Sequence, residues 1–358
     1  MTEFVLPLAS AGDPADAGGK GASLGELARA GVAVPPGFVV TVHGFRAAMA
    51  AIDPDGALRA QVEGLDAADL AAIARVAAGF RSRIVAAPLP SSVARAIESA
   101  YAALGAVPDE AALSAAEPDV AVRSSATMED SAAASFAGLQ DTYLGVAGAA
   151  GVLDNVRRCW ASLYNDESVT YRRRLGMPEQ SLAMAVVVQL MVRPRAAGVM
   201  FTRSPVSGDR SVVAIEATWG LGSALVAGDV TPDSFIISKI TGEITGRRVG
   251  AKDRIHSFLP NGRGVAVSDT AASLREAPCL TDDEIRALSS IAGRVEVHYG
   301  APQDIEWALL DGEGEPGSRI VLLQSRPETV WAGRNAPPVA APKARAADHV
   351  LSLFGKPL

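Results

Sequence analysis

Two short segments near the C-terminal end of the sequence hold the residue types best suited to chemistry. Residues 304–309 and 319–324 flank Asp311-Gly312-Glu313-Gly314-Glu315-Pro316-Gly317, a run of turn formers that predicts a hairpin. With the turn centred near Gly314 or Glu315, the numbers of directly opposed residues sum to roughly 630. Asp304 then faces Arg326, and Glu306 faces Gln324. Strand side chains alternate with period two, so these four share one face, while Ile305, Trp307, Val321 and Leu323 share the other. A carboxylate beside an amide oxygen is a hard-ligand set suited to Mg2+, whose remaining ligands are waters and phosphate oxygens. A solvated face on an ordinary amphipathic hairpin has the same pattern.

Two further groups suit an anion. Gly18-Gly19-Lys20-Gly21 precedes a helix expected over 22–30, so it offers exposed backbone N–H groups, a helix N-terminus and a full cation. Arg123-Ser124-Ser125-Ala126-Thr127 ends a strand and leads through Ser135-Phe136-Ala137-Gly138 to Thr142, which suits phosphate oxygens through a guanidinium, hydroxyls and free N–H groups. The apolar stretch containing Gln189, Leu190, Met191 and Val192 is either a core strand or one that also offers its backbone to an adenine edge. Glu216, at the end of a buried strand before a glycine-rich turn, either meets a ribose hydroxyl or caps the turn.

Common nucleotide signatures fail. A phosphate-binding loop built on Gly19-Lys20 has Pro14 at the first glycine position and Gly21 in place of the hydroxyl. Gly21-Ala22-Ser23-Leu24-Gly25 fits the nucleophile elbow of hydrolases, but the elbow needs a strand just before it, and residues 11–16 are rich in helix and strand breakers.

The elements that must position these groups mix both types. Helical spacing appears over 22–30, 58–80, 92–104, 152–175 and 282–299; strand patterns appear over 120–123, 183–192, 198–202, 212–217, 235–238, 304–309 and 319–324. The expected class is α+β, with a lobe boundary near residue 200. The 358 residues carry 33 Lys and Arg against 40 Asp and Glu, a formal charge of −7. No basic stripe stands out, which disfavours nucleic acid as a partner. The two cysteines, Cys159 and Cys279, lack metal-ligand spacing and read as buried reduced thiols. Residues 182–192, the most apolar window, are too few to span a bilayer, and no signal peptide opens the sequence; a cytoplasmic protein is expected.

These motifs, in this order, resemble the N-terminal nucleotide-binding domain of the phosphoenolpyruvate synthase, pyruvate phosphate dikinase and rifampin phosphotransferase family. Its carriers are 18–26 (Gly-Gly-Lys-Gly-Ala-Ser-Leu-Gly-Glu), 34–38 (Val-Pro-Pro-Gly-Phe), 123–127, 135–138, 198–201 (Gly-Val-Met-Phe), 219–222 (Trp-Gly-Leu-Gly), 304–307 (Asp-Ile-Glu-Trp) and 324–329 (Gln-Ser-Arg-Pro-Glu-Thr). The resemblance implies an ATP-grasp fold with two lobes enclosing the nucleotide: 1–200 and 201–332, followed by a Pro/Ala linker and tail over 333–358. It implies ATP and Mg2+ as ligands. Lys20, Arg123 and Arg326 would touch the phosphates, with Gly138 and Thr142 in the loop covering them. Gln189, Leu190, Met191 and Val192 would hold adenine, Glu216 would lie near the ribose, and Glu306 and Gln324 would coordinate Mg2+.

Two departures stand out. Ser223 follows Gly222 where relatives often carry glutamate, and none of His43, His256, His298 and His349 lies in a phosphohistidine-like motif. The chain is therefore expected to be the ATP-binding subunit of a split phosphotransferase, as in phenylphosphate synthase. It would pass a phosphoryl or pyrophosphoryl group to a histidine on a separate subunit, which phosphorylates pyruvate, a phenol or another small acceptor. The alternative is a non-catalytic ATP-sensing module. The tail over 346–358, in which Val350, Leu351, Leu353 and Phe354 could form one apolar helical face, is either disordered or docks the partner.

Overall fold

The computed structural model describes residues 3–105, 117–127, 130–131, 134–135, 141–259 and 264–331. Gly138 and the tail over 333–358 lie outside them. In chain order the first part holds β1 (Val5–Pro7), α1 (Pro14–Arg29), β2 (Gly37–Val40), α2 (Val42–Ile52), α3 (Ala57–Glu63), α4 (Leu70–Ala86), α5 (Ser91–Gly105), β3 (Val120–Ala126), β4 (Asp130–Ser131), β5 (Ala134–Ser135), β6 (Thr142–Val146), α6 (Ala149–Ser162), α7 (Asp166–Leu175) and β7 (Met184–Leu190). The second holds β8 (Pro194–Phe201), β9 (Val212–Trp219), α8 (Ser223–Val226), β10 (Asp233–Ser238), β11 (Ile244–Arg248), β12 (Arg254–Phe258), β13 (Val265–Asp269), α9 (Ala272–Arg275), α10 (Asp282–Tyr299), β14 (Gln303–Leu310) and β15 (Ile320–Pro327).

The class is α+β; besides the two-stranded pairs β4–β5 and β12–β13, the described residues form two antiparallel sheets. One has five strands in the order β1-β2-β7-β3-β6; the other has six, β11-β10-β9-β8-β14-β15. The chain changes sheets between Leu190 and Pro194, so β8, which the boundary expected at 200 left in the first lobe, pairs in the second sheet. Its apolar alternation shows that it is a strand but not which sheet it joins. Among the described residues no helix is long and apolar enough to cross a membrane.

Local signals explain where helices start and stop. The pattern over 282–299 is one helix, opened by a capping box between Thr281 and Glu284 and closed by Gly300 at φ 66°. The helix expected over 58–80 is two: Gly64 ends α3, and the Asp69 carboxylate caps α4 by accepting from the Ala72 N–H. The stretch over 152–175 likewise breaks after Ser162, between α6 and α7. α1 begins eight residues before the expected position, because Asp13 caps a first turn opened by Pro14.

Each sheet has its own core, and α1 serves both. Leu24 is buried in the first core and Leu27 in the second. Each such burial is worth about 1.5–3 kcal/mol, so α1 staples one lobe to the other. Val34, in the segment before β2, also packs against both cores, and the Ala33 carbonyl accepts from the Leu322 N–H of β15 at 2.8 Å. Both cysteines are free and buried.

Candidate functional site

The glycine-rich start of α1 is shaped by a strand more than a hundred residues away. Gly18 interrupts the helix with φ 67° and ψ 172°, and a Cβ there would sit 2.0 Å from the Ser125 carbonyl oxygen. Only glycine fits that position. Ser125 Oγ donates to the Ala17 carbonyl at 2.8 Å and accepts from the Gly21 N–H at 3.0 Å, bridging the break. A new helical run therefore starts at Gly19 and carries Lys20, half-buried, on its first turn. Ser125 lies two residues after Arg123 on β3, so both point to the same face. That alternation was the available signal for a role that sequence reasoning missed.

Arg123 reaches across to the other sheet. Its Nη1 donates to the Leu323 carbonyl at 2.6 Å, and its Nη2 donates to Glu306 Oε2 and to Gln324 Oε1, each at 3.0 Å. Its Nε is buried without a partner. One cationic nitrogen thus sits equally close to a carboxylate and an amide oxygen, the two groups singled out as metal ligands. Thr142 lies directly opposite Arg123 on β6 and is exposed.

The hairpin β14–β15 has the expected register: Asp304 pairs with Arg326, and Glu306 with Gln324. After Glu306 a bulge shifts the pairing, so Trp307 opposes Leu322 and Leu309 opposes Ile320. The core face of β15 therefore carries Ile320 and Leu322, not the expected Val321 and Leu323. On the polar side, Asp304 Oδ2 lies 3.6 Å from Arg326 Nε, while Asp304 Oδ1 is buried without a partner. Burial pushes the Asp304 carboxyl up to about 6; the Arg326 charge opposes the rise and the Glu328 charge adds to it. Val199 of β8 opposes both Glu306 and Glu216 of β9, which sets Glu216 on this same face.

The segment assigned to adenine is placed differently from the rest. Leu190 ends β7, and Met191 and Val192, half-buried, form the crossing between sheets. The Gln189 side chain is buried and donates to the Pro35 carbonyl at 3.0 Å, and the Leu190 N–H donates to the Pro36 carbonyl at 2.8 Å. In this arrangement the Gln189 amide holds the Pro35–Pro36 turn. Ser23, in the glycine-serine pattern, sits inside α1 rather than just after a strand, and its Oγ donates to the Ser325 carbonyl at 2.7 Å.

Asp141, the residue before Thr142, is held by several partners. Asp141 accepts from the Tyr143 hydroxyl at 2.8 Å and from Asn165 Nδ2 at 3.3 Å, and its carbonyl accepts from Ser124 Oγ at 3.0 Å. Burial of the phenol, with the neighbouring Asp141 carboxylate, pushes the Tyr143 pKa up, so the hydroxyl remains a donor.

Lys20, Arg123, Asp304, Glu306, Gln324 and Arg326 thus come from the start of α1, from β3 and from one hairpin. Among the described residues no group of three or more His, Cys, Asp or Glu is placed to hold a metal. Glu306 and Gln324 do fit a hard cation, since their oxygens already converge on one positive nitrogen, but they need further oxygen ligands.

Residues 15–347 match the family described as pyruvate phosphate dikinase, AMP/ATP-binding domain. The sequence is 45% identical over 317 residues to a rifampicin phosphotransferase of a Streptomyces species, covering 88% of this chain and 34% of that protein. It is 38% identical over 349 residues to the phosphoenolpyruvate synthase of Aeropyrum pernix, covering 91% and 42%. It is 42% identical over 313 residues to a probable phosphoenolpyruvate synthase of Methanothermobacter thermautotrophicus, covering 87% and 44%. The chain spans less than half the length of each of these relatives.

Proposed function

Since this chain belongs to the family of the pyruvate phosphate dikinase AMP/ATP-binding domain, we propose that it holds ATP with Mg2+ between its two sheets, in an ATP-grasp manner, and delivers a phosphoryl or pyrophosphoryl group to a histidine on a separate partner subunit. The observation that carries this reading is the convergence of Arg123, from one sheet, on Glu306 and Gln324 of the other. Breaking a triphosphate depends on charge neutralisation and in-line positioning far more than on covalent help from side chains.

Glu306 and Gln324 would hold the metal, with phosphate oxygens completing its shell. Bound Mg2+ supplies charge neutralisation across the phosphates. Lys20, on the first turn after Gly18, and Arg326, on the rim beside Asp304, would bind the phosphates from opposite sides. Arg123 would join them by exchanging its contacts with Glu306 and Gln324 for phosphate oxygens, a planar fork suited to that geometry. Its orphaned Nε and shared Nη2 make this exchange easier than for a fully satisfied guanidinium. Thr142 would close over the phosphates with Gly138, and Leu190, Met191 and Val192 would line the base at the crossing between sheets. For Gln189 to reach adenine, its bond to Pro35 must open. Glu216 would face the sugar. The carboxyl of Asp304, raised to about 6, would hold a proton more readily than an ordinary aspartate beside the same phosphates.

The final acceptor is read outside these residues; pyruvate, a phenol or another small nucleophile suits the chemistry equally. The test uses the protein with a partner that carries the histidine. Glu306→Ala should abolish ATP turnover in the reconstituted system and leave the circular-dichroism spectrum unchanged, whereas unaltered turnover would remove the metal assignment. Alone, the wild type should bind Mg-ATP and form little AMP; rapid stoichiometric AMP release would contradict the need for a partner.

A further inference from the structure

One segment of the second lobe reaches the first without joining its sheet. β12 and β13 form a two-stranded ribbon of their own, with His256 opposite Val267 and Phe258 opposite Val265. The base of the ribbon is fixed at the glycine turn after β9, where the Leu221 N–H donates to the His256 carbonyl at 2.9 Å and Gly220, at φ 70°, forms a bridge with His256. Its far end lies against β6, the edge strand of the five-stranded sheet. A Cβ on Gly145 would sit 2.6 Å from Gly264 Cα and 2.9 Å from Gly264 N, so the two backbones touch with no side chain between them. Both glycines are in the left-handed region, at φ 67° and 79°. The register of β3 with β6 shifts between Val120 and Val122, which leaves Leu144 and Gly145 opposite Ala121: a bulge puts the glycine at the point of contact. Between base and tip, the Arg193 guanidinium lies over the Phe258 ring, Cζ 4.4 Å from the centroid.

These anchors adjoin the elements that carry the nucleotide roles. The glycine turn follows the strand of Glu216, Arg193 follows Met191 and Val192, and Gly145 lies three residues beyond Thr142 on β6. The ribbon therefore crosses from lobe to lobe alongside the cleft. Its hold on the first lobe is unlike that of α1, which is buried in both cores through Leu24 and Leu27. Leu259 and Val267 of the ribbon are 38% and 50% exposed, and Arg193 is exposed as well. A two-stranded hairpin is marginally stable without further packing, and an exposed cation–π pair shifts an equilibrium only about two- to fivefold. The far end can part from β6 at small cost while the base stays fixed.

We propose that the β12–β13 ribbon is a strap across the cleft, closed here on Gly145 and Arg193, and that its release from those two contacts gates entry and exit of the nucleotide. This rests on the reading of the cleft as an ATP site. A gate is distinguishable from a ligand contact by its kinetics. Loosening a gate speeds association and release by similar factors and leaves affinity almost unaltered, whereas losing a ligand contact chiefly speeds release.

Stopped-flow fluorescence with N-methylanthraniloyl-ATP and Mg2+ measures both rates without turnover. Arg193→Ala, at an exposed position, should raise association and release together by about two- to fivefold. Gly145→Ala, which sets a methyl group against the Gly264 backbone, should raise both further. In the opposite direction, Arg193→Cys with Phe258→Cys can be bridged by a short bifunctional methanethiosulfonate, because the native Cys159 and Cys279 are buried. Bridging should slow both rates at least tenfold and retain nucleotide loaded beforehand, and a reductant should restore exchange. A bridged protein that exchanges nucleotide as fast as the wild type, or a change confined to release in Arg193→Ala, would overturn the strap while leaving the ATP site standing. Failure of the wild type to bind the analogue would overturn both.

Discussion

In the first lobe Arg172 and Glu179 meet with both side chains fully buried: Nε to Oε1 at 3.2 Å, Nη2 to Oε2 at 3.3 Å, and Nη1 to the Leu163 carbonyl at 2.6 Å. The Tyr164 ring lies under the guanidinium, 5.6 Å from centroid to Cζ. In the cleft, Arg123 and Glu306 share the same chemistry but only one contact, at 3.0 Å. There the carboxylate is 30% exposed, Gln324 shares the same nitrogen, and Arg123 Nε has no partner. A saturated pair, walled off from water, can only hold the fold; an undersaturated one can trade partners with a ligand. Lys252 and Asp233 repeat the first pattern in the second lobe, where the carboxylate also accepts from the Gly250 and Cys279 N–H groups.

Substitutions can break that contrast. Glu179→Gln leaves Arg172 charged and buried without its counter-ion, so urea unfolding of the ligand-free protein should show a loss of about 3–5 kcal/mol. Glu306→Gln, in the same assay, should change stability by less than about 1 kcal/mol, since that pair is reached by water. Equal losses at the two sites would erase the distinction.

Asp304→Asn falls between these two in size and has the opposite sign. The folded-state pKa of Asp304, about 6, lies above the unfolded value near 3.9. The folded protein therefore binds this proton more tightly than the unfolded chain. That contribution is complete below about pH 4 and is lost as pH rises through 6. The amide variant cannot ionise, so it should gain up to about 3 kcal/mol over the wild type above pH 6 and differ little near pH 4. Unfolding curves at the two pH values check both the sign and the window. A loss of stability at high pH would mean that the pair with Arg326 outweighs burial.

The hairpin was the most legible part of the site, because period-two alternation and a glycine-rich turn together specify which side chains oppose each other. The bulge after Glu306 was not legible; it exchanges Val321 and Leu323 for Ile320 and Leu322 in the core without altering the polar quartet. The contact made by Gln189 was not legible either, for a reason that lies elsewhere in the chain. The Pro35 carbonyl needs a buried donor, and nothing near Gln189 in the sequence shows that its amide supplies one. Gly18 marked the approach to a helix start, but the clash that requires glycine comes from Ser125, on strand β3. Local chemistry could be read from spacing, whereas contacts between distant segments could not.

If Glu306 and Gln324 hold a divalent cation together with the phosphates of ATP, the protein adds affinity for that cation beyond what ATP alone provides. Titrating Mn2+ into the ATP-saturated protein, with free Mn2+ followed by electron paramagnetic resonance, measures that most directly. One protein-bound Mn2+ is expected in the wild type, tighter than Mn2+ bound by ATP alone, with that added affinity lost in Glu306→Gln. Equal Mn2+ affinity in the two proteins would contradict it.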